Sequence, residues 1–265
     1  MTDAARTKAV RAYRAPSRHG PAQPGPARPS PAQPGPAQPG PEQPDPWHCL
    51  IPPRFRLAAI ATAVACVITL GVLSAVFYHG STPDALDKAV FRLVWPHRVG
   101  LDPLVVLGDT VPITLLTAVL CYCCLALRRY AGAIMVVLAV PVAAGFTELL
   151  KHVVHRIYID FLSFPSGHAT ATFALITCVA VLLIDPRATR APASMRIVLA
   201  AASAGLGVIV ALGLVAARFH YVTDTIAGAA VGIGVTLTIA LVLDAAVARL
   251  GLGRPASVPA EPVRG

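Results

Sequence analysis

The chain has 265 residues, 55% of them apolar and only 13% charged, with a mean hydropathy of +0.66. Soluble domains carry about 25% charged residues, so the composition excludes an ordinary water-soluble globule and indicates a protein that lives in lipid. The net charge of +9 sits largely beside apolar stretches, where it acts as a topology signal, and no nucleic acid is needed to explain it.

In chain order, the first segment is a different polymer from the rest. TDAARTKAVRAYRAPSRHG is basic and lacks the apolar core near Met1 that a cleavable signal peptide needs. PAQPGP then occurs at 21–26 and again at 31–36, and 14 of the 25 prolines fall between Pro16 and Pro53. With almost nothing apolar to bury, residues 1–56 are expected to form a disordered or polyproline II tail on the cytoplasmic side.

Six apolar stretches follow, at 57–78, 103–127, 131–150, 166–184, 197–217 and 220–248. Each approaches the roughly 20 residues that cross a 30 Å hydrocarbon core at 1.5 Å per residue. The run from Ile197 to Ala248 would be on the order of 78 Å long as one helix, so it must reverse, and ARFHYVTD at 217–224 is the polar cluster where it can. The expected fold is an all-α, polytopic bundle of six transmembrane helices over 57–250, with a short flexible tail at 251–265. Between the first two spans, Thr82 to Arg98 contains LDKAVFRLVW and is expected to be an amphipathic helix on the membrane surface, placed to gate lipid entry.

Orientation follows from Lys and Arg beside the spans. Arg6, Lys8, Arg11, Arg14, Arg18, Arg28, Arg54 and Arg56 precede the first span. Arg128 and Arg129 follow the second, Arg187, Arg190 and Arg196 follow the fourth, and Arg249, Arg254 and Arg264 follow the last. Six crossings put all of these on one side, expected to be the cytoplasm of a cell whose plasma membrane holds the protein. Five of the six cysteines, Cys66, Cys121, Cys123, Cys124 and Cys178, lie inside spans as small polarizable packing groups. CYCC at 121–124 lacks the two-pair spacing of a zinc site.

The polar residues at membrane depth fall into three groups. Lys151, His152, His155 and Arg156 precede the fourth span, Ser166, Gly167 and His168 begin it, and Arg218, His220 and Asp224 occupy the fifth-to-sixth turn. The crossings bring all three to the outer face, where they can converge. Cations beside a helix start make a site for a multi-oxygen anion, phosphate above all. Ser166 offers a hydroxyl, and Gly167 lets the anion come close. His220 and Asp224 are four apart, so on a helix the carboxylate can hold one ring nitrogen's hydrogen while the other presents a lone pair, making an oriented nucleophile or base. His168 is then free to give a proton to a leaving oxygen. Glu148, three residues before Lys151, can pair with it, and Asp109 can touch the site or a neighbouring helix.

The segments KHVVHRIY, FPSGHAT and ARFHYVTDTIAG resemble the three signature motifs of the type 2 phosphatidic acid phosphatase family of membrane lipid phosphatases, related to vanadium haloperoxidases and bacterial acid phosphatases. The resemblance implies an enzyme that hydrolyses a lipid phosphate or diphosphate drawn from the bilayer, without a metal or other cofactor. It implies that His220 attacks phosphorus to give a phosphohistidine, that Asp224 orients it, and that His168 protonates the leaving alcohol. Lys151, Ser166 and Gly167 would bind phosphoryl oxygens. The family's arginines fall elsewhere: the corresponding positions here are Tyr158 and Leu214, so Arg156 and Arg218 are the cations available in their place. Transfer of the phosphoryl group to another alcohol, and a catalytically silent lipid-binding relative, are the alternative readings of the same motifs.

Overall fold

The computed structural model describes residues 47–184 and 191–252. The proline-rich repeats, the last residues of the chain, and the basic positions Arg187, Arg190, Arg254 and Arg264 lie outside them. Eight α-helices account for most of the described chain: α1 Pro53–Val76, α2 Ala85–Val94, α3 Arg98–Val105, α4 Thr110–Ala126, α5 Tyr130–Val154, α6 Gly167–Ile184, α7 Ala193–Ala216 and α8 Val222–Leu250. Two 3₁₀ turns flank α3, and a small antiparallel hairpin, β1 Ile157–Tyr158 and β2 Phe161–Leu162, joins α5 to α6. Helices α1, α5, α6, α7 and α8 are each long and apolar enough to cross a membrane. The architecture is an all-α polytopic bundle.

The second span departs from the expected 103–127. Its first part is the separate helix α3, which contains Pro103, and the chain from Ala85 to Gly108 meets α4 at 55°. Only the 17 residues of α4 remain as a straight segment, so among the described residues five helices are long and apolar enough to span, or six spans result when the bent pair is taken as one. Asp109 leaves the helical region at ψ 158°, and the chain changes direction there.

Helices α6 and α8 form the centre and approach closely because glycines face the partner backbone. A Cβ on Gly228 would run into the Ser166 carbonyl, and one on Gly232 into the Thr170 carbonyl. Around this pair α1 and α5 pack against α8, α5 also against α6, and α7 joins α6 to α3. The outward faces of α1 and α7 stay apolar and exposed, as at Val67, Val72, Ile197 and Val198, which is the surface a bilayer covers.

Below the bundle the chain is stapled. Asp244 of α8, 5% exposed, accepts hydrogen bonds from the backbone N–H groups of Leu50 and Ile51 at 2.6 and 2.9 Å. The folded body therefore begins before residue 57, and Pro53 to Arg56 are the first turn of α1. Asp244→Ala is expected to leave both donors buried without a partner, costing about 1–3 kcal/mol. Unfolding in detergent checks this, with Asp244→Asn, which keeps an acceptor, recovering part of the loss.

Candidate active site

At the opposite end of the bundle, the C-terminal ends of α5 and α7 and the N-terminal ends of α6 and α8 come together, and all three sequence clusters lie there. Lys151, in the last turn of α5, bonds Glu148 Oε1 at 2.7 Å, the pairing expected from their spacing. Its Nζ lies 3.9 Å from where a Cβ on Gly167 would stand, so the ammonium sits over the start of α6 and the glycine keeps that space open. Ser166 caps α6: its Oγ accepts the Ala169 N–H at 3.4 Å, and the residue is fully buried.

His168 follows in the first turn of α6 with its side chain 39% exposed. Its Nε2 is 3.1 Å from Oδ1 of Asp109, at the N-cap of α4, so the residue left open between the site and a neighbouring helix touches the site. The His168 and His220 ring centroids are 6.3 Å apart. Two imidazoles from different parts of the chain thus lie close together, His168 directly after Gly167.

His220 is not on the helix with Asp224. Tyr221 is the N-cap of α8, and Asp224 is its third residue, accepting the Tyr221 N–H at 3.3 Å. The separation from His220 Nδ1 to Asp224 Oδ2 is 3.9 Å, beyond hydrogen-bond range, and Nδ1 is buried without a hydrogen-bond partner among the described residues. The carboxylate instead holds Arg156, whose Nη1 reaches Asp224 Oδ1 at 2.7 Å.

Arg156 was the expected replacement for a phosphate-binding arginine, and the structure places it elsewhere. It is fully buried, bonding Thr223 Oγ1 at 2.6 Å and Asp87 Oδ2 at 2.9 Å as well as Asp224. Its guanidinium carbon lies 3.7 Å from the Phe77 ring centroid and 4.4 Å from that of Tyr221. A charge already divided between two carboxylates and covered by rings has no face left for an external anion.

Arg218 lies beside His220, but not on the face of Leu214. Leu214, one turn earlier, is buried against Ala169 and Val105, whereas Arg218 ends α7 in the left-handed region at φ 63°. The two therefore do not share a face. The Arg218 guanidinium lies over Phe91 and Trp95, 5.2 and 4.9 Å from their centroids. It lines a cavity of about 240 Å³ together with Asp87, Lys88, Phe91, Tyr158, His220 and Tyr221. Burial raises the phenols of Tyr158 and Tyr221 above the usual tyrosine value, so both present neutral hydroxyls in neutral solution.

Asp87 is the functional candidate that the sequence did not reveal. The helix expected on the membrane surface is present as α2, started by an Asp84/Asp87 capping box. That spacing accounts for Asp87 locally, but its carboxylate is 2% exposed and also reaches Arg156 and both the N–H and the hydroxyl of Thr223. Its main partners lie 69 and 136 residues away, where no local spacing could point.

Residues 142–247 match the model of the PAP2 superfamily. The crystal structure of the first transmembrane PAP2 type phosphatidylglycerolphosphate phosphatase from Bacillus subtilis aligns with a TM-score of 0.56 at 16% identity, over 67% of this chain and 94% of that one. A comparison with curated proteins returns no match. The matched region holds Lys151, the Ser166–His168 triplet, His220 and Asp224 on α5 through α8, and the family-model match together with the shared membrane fold supports a type 2 phosphatidic acid phosphatase-like family.

Proposed function

We propose that the protein is a lipid phosphate phosphohydrolase working through a phosphohistidine. The observation that carries the reading is the pair of imidazoles, His168 and His220, with ring centroids 6.3 Å apart and His168 directly after Gly167. A phosphoryl group between them meets Lys151, the open backbone at Gly167 and the Ser166 hydroxyl hydrogen, while Arg218 approaches from the adjoining cavity. Nε2 of His220 attacks phosphorus as the P–O bond to the lipid breaks, and His168 gives its proton to the departing oxygen. A water then attacks the phosphohistidine, passing a proton to His168 and returning both rings to their starting state. Asp224 supports the imidazolium formed at His220, its 3.9 Å gap to Nδ1 closing as substrate binds. Arg54, Arg56, Arg128, Arg129, Arg196 and Arg249 lie at the far end of the helices, which under the positive-inside rule supports a site on the extracytoplasmic face.

The test is phosphate release by the detergent-purified protein from a panel of lipid phosphates headed by phosphatidylglycerolphosphate, with and without EDTA, beside His220→Ala. The expected result is EDTA-resistant release that His220→Ala lowers by a factor on the order of 10⁴ or more. Absence of release from every lipid by a folded, monodisperse protein overturns the reading.

A further inference from the structure

We propose that Asp87, on a helix outside the matched region, is a positioning residue for the reaction, acting through Arg156 on Asp224 and so on His220. The proposal rests on the phosphohydrolase reading above. Three buried charges form one cluster: the carboxylates of Asp87 and Asp224 and, between them, the guanidinium of Arg156. Two negative charges against one positive leave a net charge of −1. Beside it lies the Nδ1 of His220, 8% exposed as a residue and without a hydrogen-bond partner among the described residues.

The division of Arg156 between two acids has an electrostatic result. With Nη2 held by Asp87 at 2.9 Å, the guanidinium neutralises Asp224 only in part. Residual negative charge then faces Nδ1 of His220, keeps the ring proton on that nitrogen and leaves the Nε2 lone pair directed at the cavity. Asp87 also accepts from the N–H and hydroxyl of Thr223, the residue before Asp224, which fixes the carboxylate's position along α8. Neither Asp87 nor Arg156 touches the substrate in this scheme. Both set the charge and the placement of the group that does the orienting.

The test uses Asp87→Asn, Arg156→Gln and the double variant in the full-length protein. Asp87→Asn hands the whole guanidinium to Asp224, and kcat is expected to fall about tenfold with KM within about twofold. The double variant removes one acid and the cation together, restores the net −1 on Asp224, and is expected to recover kcat to within about threefold of wild type, a rescue that a purely structural tie would not give. If wild type releases phosphate and Asp87→Asn matches it in kcat and KM, the positioning role is overturned while the phosphatase reading stands. A double variant less active than Asp87→Asn overturns it equally, since losing a second tie should then only add damage. Should Asp87→Asn not fold, the double variant is compared with wild type directly, and a folded double variant as inactive as His220→Ala overturns the proposal. So does failure of the double variant to fold, because the rescue that separates the scheme from a purely structural tie is then absent. No release by wild type overturns both readings together.

Discussion

Arg156→Met is expected to leave little folded protein, although methionine suits the apolar surroundings of Phe77 and Tyr221. The substitution removes the only cation bonded to two buried carboxylates, Asp87 and Asp224, among the described residues. Breaking a buried pair by deleting one partner costs about 3–5 kcal/mol, and here two acids are stranded. Against a total stability of about 5–15 kcal/mol that is enough to unfold much of the population, or to force proton uptake by one acid. Expression and size-exclusion behaviour in detergent at neutral pH check it. Partial recovery is expected when the pH is lowered, because protonation removes the stranded charges. A variant as stable as wild type would mean that Arg156 contributes nothing to holding α2 and α8 together.

The second large effect is expected at Gly228. Its missing Cβ is what allows α8 to lie on the first turn of α6: a methyl group there would overlap the Ser166 carbonyl and stand 3.1 Å from the Ala169 Cβ. Both obstacles are the backbone or the first side-chain atom of a packed helix, so no rotamer can move out of the way. Gly228→Ala must therefore part the two helices locally, at a cost of about 1–3 kcal/mol. The same displacement separates Ser166 and His168 from His220, so activity should fall more than the stability loss explains. Gly205→Ala on α7 is the control. Its Cβ would meet nothing within 4 Å, and gains of up to about 1 kcal/mol are expected from helix propensity alone. Unfolding midpoints and phosphate release, measured on both variants, separate packing from generic glycine loss.

The spans and the meeting of the polar clusters were legible in the sequence because hydropathy and an even number of crossings decide them. Lys151, His168 and His220 converge in the structure for that reason. Connections that depend on side chains reaching across the fold were not legible. Asp87 drew no notice in the sequence because its spacing to Asp84 is only that of a capping pair, and Arg156 has the spacing of an available cation although two acids hold it. The spacing of His220 and Asp224 suggested a shared helical face, but Tyr221 starts α8 between them and turns Asp224 into a cap. The break at Asp109 was hidden because apolar residues continue through it, and hydropathy does not register a change of direction.

The neighbour that α1 chooses has a bearing on biosynthesis. Among the described helices α1 is made before the others, yet it packs against α8, made after them, and the staple joining them runs from Leu50 and Ile51 to Asp244, 194 and 193 residues later. Until α8 is made, the side of α1 that packs on it has no helix partner, and the centre of the bundle, which also needs α8 against α6, cannot close. Nascent chains that stop short of α8 therefore lack Asp224 and also the element that gathers the earlier helices, so they should be recognised as incomplete and degraded.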